Sequence, residues 1–366
     1  MGQPLEVNLK SVRVRNTRDF GDVYLALILW RTLGLDEFFP GQGLDSARQD
    51  VPWALMVCIL TIARFVEPDS ELHVEDTWYR RTGLAEMLGV GADKVNDTRL
   101  YRTLDVILPL KGKIQIHLKQ RIGELFAPDF DLVLYDVTST YFEGLVEGNP
   151  LAQYGYSRDR RGDCKQVCIA LVVSRCGLPL GYEVFAGNRH DVVQGRDGRA
   201  VLVWEKVEAW RDWAGLSEGC YLLRSNIADW TAEQLWMAYT QLTQAEAALR
   251  IHKSDLRIRP IWHQLQHRVQ GHILFSFLAY ALWKTLQIWM ERAGMATGVR
   301  TVLEELARLK STDVVLGTSC GRQIKLCCVT KPDAAQRALL DRLGLVIPER
   351  LGRPQWVQRP ENMTEM

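Results

Sequence analysis

The stretch 131–143, DLVLYDVTSTYFE, constrains the chain most. An apolar run, Leu132 to Tyr135, stops abruptly on Asp136, and a Thr/Ser/Tyr-rich continuation follows. β-branched and aromatic residues over so short a run favour a buried strand over a helix. Asp136 is then expected at or near the end of a core strand, with its carboxylate at the sheet edge. A rigid carboxylate there suits Mg²⁺, which takes hard oxygen donors, usually one or two carboxylates beside waters and phosphates. The plainer reading is an Asp that ends a strand or caps a turn.

A second carboxylate comes from YTQLTQAEAALRIHK, 239–253. Tyr239, Glu246 and Lys253 follow one another at seven-residue intervals, two helical turns, so all three share one helix face. A carboxylate, an ammonium and an aromatic ring on one stripe form an apparatus for gripping a metal ion and DNA phosphate. Spacing alone does not separate this from an ordinary solvated face.

Taken with its flanking text, the chain resembles insertion-sequence transposases of the DDE class. It is similar in particular to the subgroup with a Tyr, Arg, Glu, Lys pattern on the helix of the third acid. The passages that carry the resemblance are YDVTSTYFEG, GYSRDRRGDCKQV, GYEVFAGNRHD, EGCYLLRSN and the run from AEAALRIHKSDLRIRPIWHQ to HRVQGHILFSFLAY. The four pattern positions hold Tyr239, Leu242, Glu246 and Lys253, so Leu stands where the subgroup has Arg. The resemblance implies an α/β fold: an RNase H-like mixed sheet flanked by helices, with a mostly helical N-terminal region and a small α+β C-terminal tail. It implies three parts. Residues 1–126 form a helical region that recognises transposon ends, 127–295 the catalytic domain, and 296–366 a helix–hairpin–helix tail packed on the core.

Composition neither announces nor excludes such a role. Hydrophobic content of 47% and charged content of 24% are those of an ordinary globular protein. The formal net charge is +1, so attraction to DNA must come from local patches. No signal peptide is read in MGQPLEVNLKSVRVRN, and the apolar run 51–66 is too short to span a bilayer comfortably. The eight cysteines include no CxxC pair; Cys164, Cys168 and Cys176 are read as small buried thiols of a reducing compartment rather than as a metal site. A cytoplasmic location is expected, with no membrane association.

Along the chain, helical periodicity appears in DFGDVYLALILWRTLGL, VPWALMVCILTIARFV and TRLYRTLDVILPLKGKIQIHLKQRIGEL. Asp69 or Ser70 is placed to cap a helix carrying His73 and Tyr79. Arg80, Arg81, Lys94, Arg99 and Arg102 are available to phosphates, or are plain solvated surface. From Asp129 the periodicity switches: the Asp136 strand, KQVCIALVVSR and LGYEVFAG, with a turn at Gly177 to Pro179, read as an antiparallel meander. Between its first two strands, Arg158, Arg160, Arg161 and Lys165 form a cationic cluster expected beside Asp136.

An absence follows. The resemblance calls for a further strand bearing a second aspartate, then a long insertion. Here GNRHDVV runs almost directly into text resembling the strand before the third-acid helix, which implies an internal deletion near 193–199. Asp191, Asp197 and Glu205 are the available substitutes. A helix with Trp204, Val207, Trp210 and Trp213 on its core face explains that segment without chemistry.

Beyond the third-acid helix, Pro260 breaks the helical text and a long apolar helix is expected to restart near Ile261 or Trp262. Arg257, Arg259, His263, His267, Arg268 and His272 make a basic rim. The three histidines nearly share a stripe, but no Cys or carboxylate stands at ligand spacing, so phosphate contact or packing is expected rather than zinc. The 273–289 run is read as a buried core helix. Helices near 301–309 and 333–343, a hairpin around 317–321 and loose residues after Pro354 complete the tail.

The function implied is strand cleavage and joining at transposon ends by two-metal phosphoryl transfer, with Mg²⁺ or Mn²⁺. Asp136 and Glu246 are the expected metal ligands. Tyr239, Lys253, Arg158, Arg160, Arg161, Arg257, Arg259 and His263 are the expected DNA contacts. The partners implied are double-stranded DNA, as terminal inverted repeats and target, and further copies of the chain on that DNA. Loss of the second acid implies impaired catalysis; the alternative is an inactive end-binding remnant able to inhibit intact transposases.

Overall fold

A computed structural model of the chain describes residues 7–44, 49–128, 133–157, 159–188, 229–319 and 322–357. The chain opens with β1 (Val7–Asp19), α1 (Gly21–Thr32) and α2 (Trp53–Val66). A helical run over 71–81 follows, then α3 (Asp97–Ile107) and α4 (Lys111–Phe126). Next come β2 (Val133–Tyr141), β3 (Gln166–Ser174), β4 (Pro179–Ala186), α5 (Ala232–Ser254) and α6 (Gln266–Arg292). The tail is α7 (Val299–Ala307), β5 (Lys310–Thr318), β6 (Gln323–Val329), α8 (Ala334–Leu343) and β7 (Arg350–Val357).

Helix and sheet are mixed, and the described strands pair antiparallel in two sheets, ordered β2-β3-β4 and β1-β5-β6-β7. The meander read from sequence is the first of these. Its β3–β4 turn runs through Gly177, whose φ of 79° is a region that a Cβ disfavours. The second sheet departs from expectation. Its first strand is the supposedly helical beginning of the chain, which pairs along β5 from Val7↔Thr318 to Asp19↔Lys310. Residues expected to be loose after Pro354 instead pair with β6, at Lys325↔Gln355, Ile324↔Trp356 and Gln323↔Val357.

Asp313 holds β1 to β5. It is 1% exposed and accepts one hydrogen bond from each Arg18 Nη atom and one from Asn16 Nδ2, all at 3.1 Å. Burial alone would raise its carboxyl, yet Arg18, Asn16 and Lys325 bring it below the usual range.

At the centre lies α6, buried along nearly its whole length and touching α1, α2, α3, α5 and β4. Leu274, Phe277, Leu278, Leu282 and Leu286 are almost fully buried, each worth about 1.5–3 kcal/mol of hydrophobic stabilisation. Gly271 lets α3 come close: a Cβ there would sit 2.8 Å from the Leu104 carbonyl oxygen. Among the described residues α6 is the one helix long and apolar enough to cross a bilayer, and 89% of its most apolar window is buried inside the protein. It begins at Gln266, later than expected, because Ile261 is held in extended backbone, donating to Tyr141 O and accepting from Glu143 N.

Candidate functional site

Asp136 stands fourth in the nine-residue β2 rather than at its end, because the strand continues through Tyr141 in register with β3. It faces Leu171 across the pair. Strand alternation puts it on the same sheet face as Leu134, Thr138 and Thr140. It is half-buried, and one carboxylate oxygen accepts the adjacent Val137 N–H at 2.8 Å.

α5 covers this face. It starts in a capping box, with Thr231 Oγ1 accepting from Gln234 N and Gln234 Oε1 accepting from Thr231 N. Ala245, Ala248, Leu249 and His252 form its buried side. Leu249 and His252 meet Thr138, Leu171 and Tyr182 around an apolar void of about 10 Å³. Gln244 reaches the Gly177 turn, at the level where β2 begins, and Ile261, beyond the helix, bridges Phe142 where β2 ends. α5 therefore runs along β2 in the same direction. Glu246, one turn before Leu249, and Asp136, two residues before Thr138, step back together from one shared contact. Glu246 is exposed on the flank of the buried side, as are Tyr239 and Leu242, and Lys253 is half-buried there. The single continuous helix expected over 239–253 is present.

Lys253 lies two turns past Glu246, about 10 Å along the axis. Its Nζ is 3.7 Å from Asp159 Oδ1, and Arg259 pairs with the other oxygen of the same carboxylate. One acid from the β2–β3 loop thus gathers two of the cations expected to take phosphate. The loop's own cluster is not beside Asp136. Arg161 lies over the Tyr141 ring and pairs with Glu143 and Asp163, and Lys165 Nζ donates to Leu145 O. Tyr141 is five residues from Asp136, about 17 Å along the strand. The long hairpin loop, folded back on the far end of β2, is the cause. Arg160 is exposed there, in left-handed backbone at φ 58°. Arg158, the implied deletion, the 204–213 helix and the substitutes Asp191, Asp197 and Glu205 lie outside the described residues.

The rim after α5 holds what sequence reasoning missed. Arg257 is exposed, while Arg64, His263 and His272 converge on Glu71 in a cleft of about 230 Å³. His263 lies before α6 rather than on it, and His267 turns away to Asp105 at 3.2 Å, so the three histidines do not form one stripe. The carboxylate partner that no nearby spacing offered is Glu71, first residue of the run that Ser70 caps by accepting from His73 N. Burial opposes ionisation of Glu71, but the hydrogen bond with His263 and the nearby Arg64 guanidinium help outweigh it and bring its carboxyl down to about 2. Burial, with Arg64 and His263 nearby, holds the His272 imidazole well below its ordinary value, and hence neutral. Among the described cysteines, Cys168 sits within β3, and Cys176, exposed rather than buried, lies in the turn beyond its end.

No family model matches the chain, and neither a curated protein nor a solved structure matches it.

Proposed function

We propose that the chain is an insertion-sequence transposase of the DDE class, with β2-β3-β4, α5 and α6 as the described part of an RNase H-like catalytic unit. The observation that carries this reading is the course of α5 along β2, which sets Glu246 back from the same contact as Asp136. Oxygen donors on two rigid elements, one half-buried and one exposed, suit a hard divalent cation such as Mg²⁺ or Mn²⁺. When bound, such ions supply activation of water or a 3′-hydroxyl and stabilisation of the leaving oxygen. Asp136 and Glu246 would hold them. Lys253 and Arg259 take the DNA backbone downstream, releasing Asp159 as phosphate replaces its carboxylate. Tyr239, tilted against Trp236 with ring centroids 5.8 Å apart, offers an exposed aromatic face upstream. Leu242, exposed where the subgroup has Arg, leaves that flank one cation short.

With the second acid lost, the reaction is impaired, and end binding outlasts cleavage. The DNA substrate is double-stranded and carries the transposon ends, engaged by more than one copy of the chain. The setting is the cytoplasm. The test is cleavage of end-containing DNA with Mn²⁺. Slow nicking that disappears in Asp136→Ala and Glu246→Ala is the expected result. Binding to ends without any nicking would leave the inhibitor reading, and failure to bind ends would remove both.

A further inference from the structure

We propose that Glu71, His263 and His272 form a zinc-type transition-metal site, separate from the Asp136/Glu246 pair and of different chemistry. The ligand atoms of these three side chains all lie within 4.8 Å of one another. Glu71 Oε1 and His263 Nε2 are 3.4 Å apart. A tetrahedral ion with ligand bonds near 2.0–2.1 Å holds its donors about 3.4 Å apart, so this edge already has metal spacing and the others, all within 4.8 Å, need to close by no more than about 1.4 Å. Two imidazoles with one carboxylate are a zinc donor set. Mg²⁺ prefers oxygen alone.

The surroundings are those of a held ligand set. His272 Nε2 donates to Ile258 O at 3.2 Å, which fixes the ring and turns Nδ1 inward. A metal-ligating histidine is held in the same way through its second nitrogen. Arg64 Nη2 stands 3.4 Å from that Nδ1, so a positive charge already occupies the space beside it. A divalent ion displaces this guanidinium toward Arg257 O, to which Arg64 Nη1 donates at 3.5 Å. Tyr101 meets the His263 ring edge-on and limits its rotation. The open side of the cleft leaves room for a water as fourth ligand.

Such an ion would clasp the 71–81 run to α6 and stiffen the segment that carries Arg257, Arg259 and Trp262. The experiment adds Zn²⁺ or Co²⁺ to the full chain after chelator treatment. The expected result is a single equivalent bound, a tetrahedral Co²⁺ absorption spectrum, and a Zn-edge X-ray absorption spectrum with two imidazoles. Zinc should raise the melting temperature, and His263→Gln and Glu71→Gln should abolish uptake while Asp136→Ala leaves it intact. The X-ray spectrum reads the donors in the unaltered chain, so it decides even if a variant misfolds. No stoichiometric uptake, uptake unchanged in His263→Gln, or an octahedral Co²⁺ signal that vanishes in Asp136→Ala would overturn the proposal.

Discussion

Replacing Asp313 by Ala removes the acceptor that ties the first strand to the tail. Two bonds from Arg18 and one from Asn16 are lost, all at a carboxylate that is 1% exposed. Breaking a buried ion pair from one side costs about 3–5 kcal/mol, because the remaining charge stays desolvated. Arg18 is not stranded, since Glu86 Oε1 lies 3.2 Å away and the side chain is 15% exposed. The low end, about 3 kcal/mol, is therefore expected for Asp313→Ala. Asp313→Asn keeps an accepting oxygen and loses only the charge, so about half that loss is expected. The folded carboxyl is held below its unfolded value, so its stabilisation is present above the unfolded pKa, near 4, and is lost as pH falls through the folded one. Urea unfolding at pH 7 and again at pH 3 measures both effects. A loss under about 1 kcal/mol at pH 7, or an Asn deficit that does not shrink in acid, would refute the argument.

Three further outcomes are expected. Lys253→Ala with Arg259→Ala should flatten the slope of log K for DNA against log salt by about 1.8, two phosphates' worth, while Asp159→Asn, which removes the negative charge paired with both cations, tightens binding. Gly271→Ala should destabilise by about 1–2 kcal/mol in thermal or urea unfolding, because the clash with backbone oxygen of Leu104 outweighs the helix-propensity gain of about 1 kcal/mol.

What the sequence made legible were local patterns. The glycine turn at 177 and two flanking apolar runs give the β2-β3-β4 meander, and seven-residue spacing gives α5 with Tyr239, Glu246 and Lys253 on one flank. Periodicity gives the helical text of α1, α2 and the stretch 98–125, which the structure divides into α3 and α4 at a 3₁₀ turn, Leu108–Leu110. The first strand went against the helical expectation for the start of the chain; its partner β5 lies some three hundred residues on, and no local pattern names a partner at that distance. The Glu71 cluster was hidden for the same reason. His263 and His272 are near each other in sequence, whereas their carboxylate, Glu71, comes from a helical run far earlier in the chain. The Arg161 group was misplaced because loop length fixes neither which end of a strand a loop folds back on, nor which acid its cations meet.

The pairing of the chain's two ends has a consequence for how it is made. Asp19 precedes its partner Lys310 by 291 residues. At about 5–20 residues per second, a ribosome takes roughly 15–60 s to supply that partner. Through that interval the newborn strand waits with an open edge, and the positive charges of Lys10, Arg13 and Arg15 discourage it from pairing with a neighbouring nascent chain. A frameshift late in the gene would then do more than shorten the product. It would strand its first residues without the surface they were made to join.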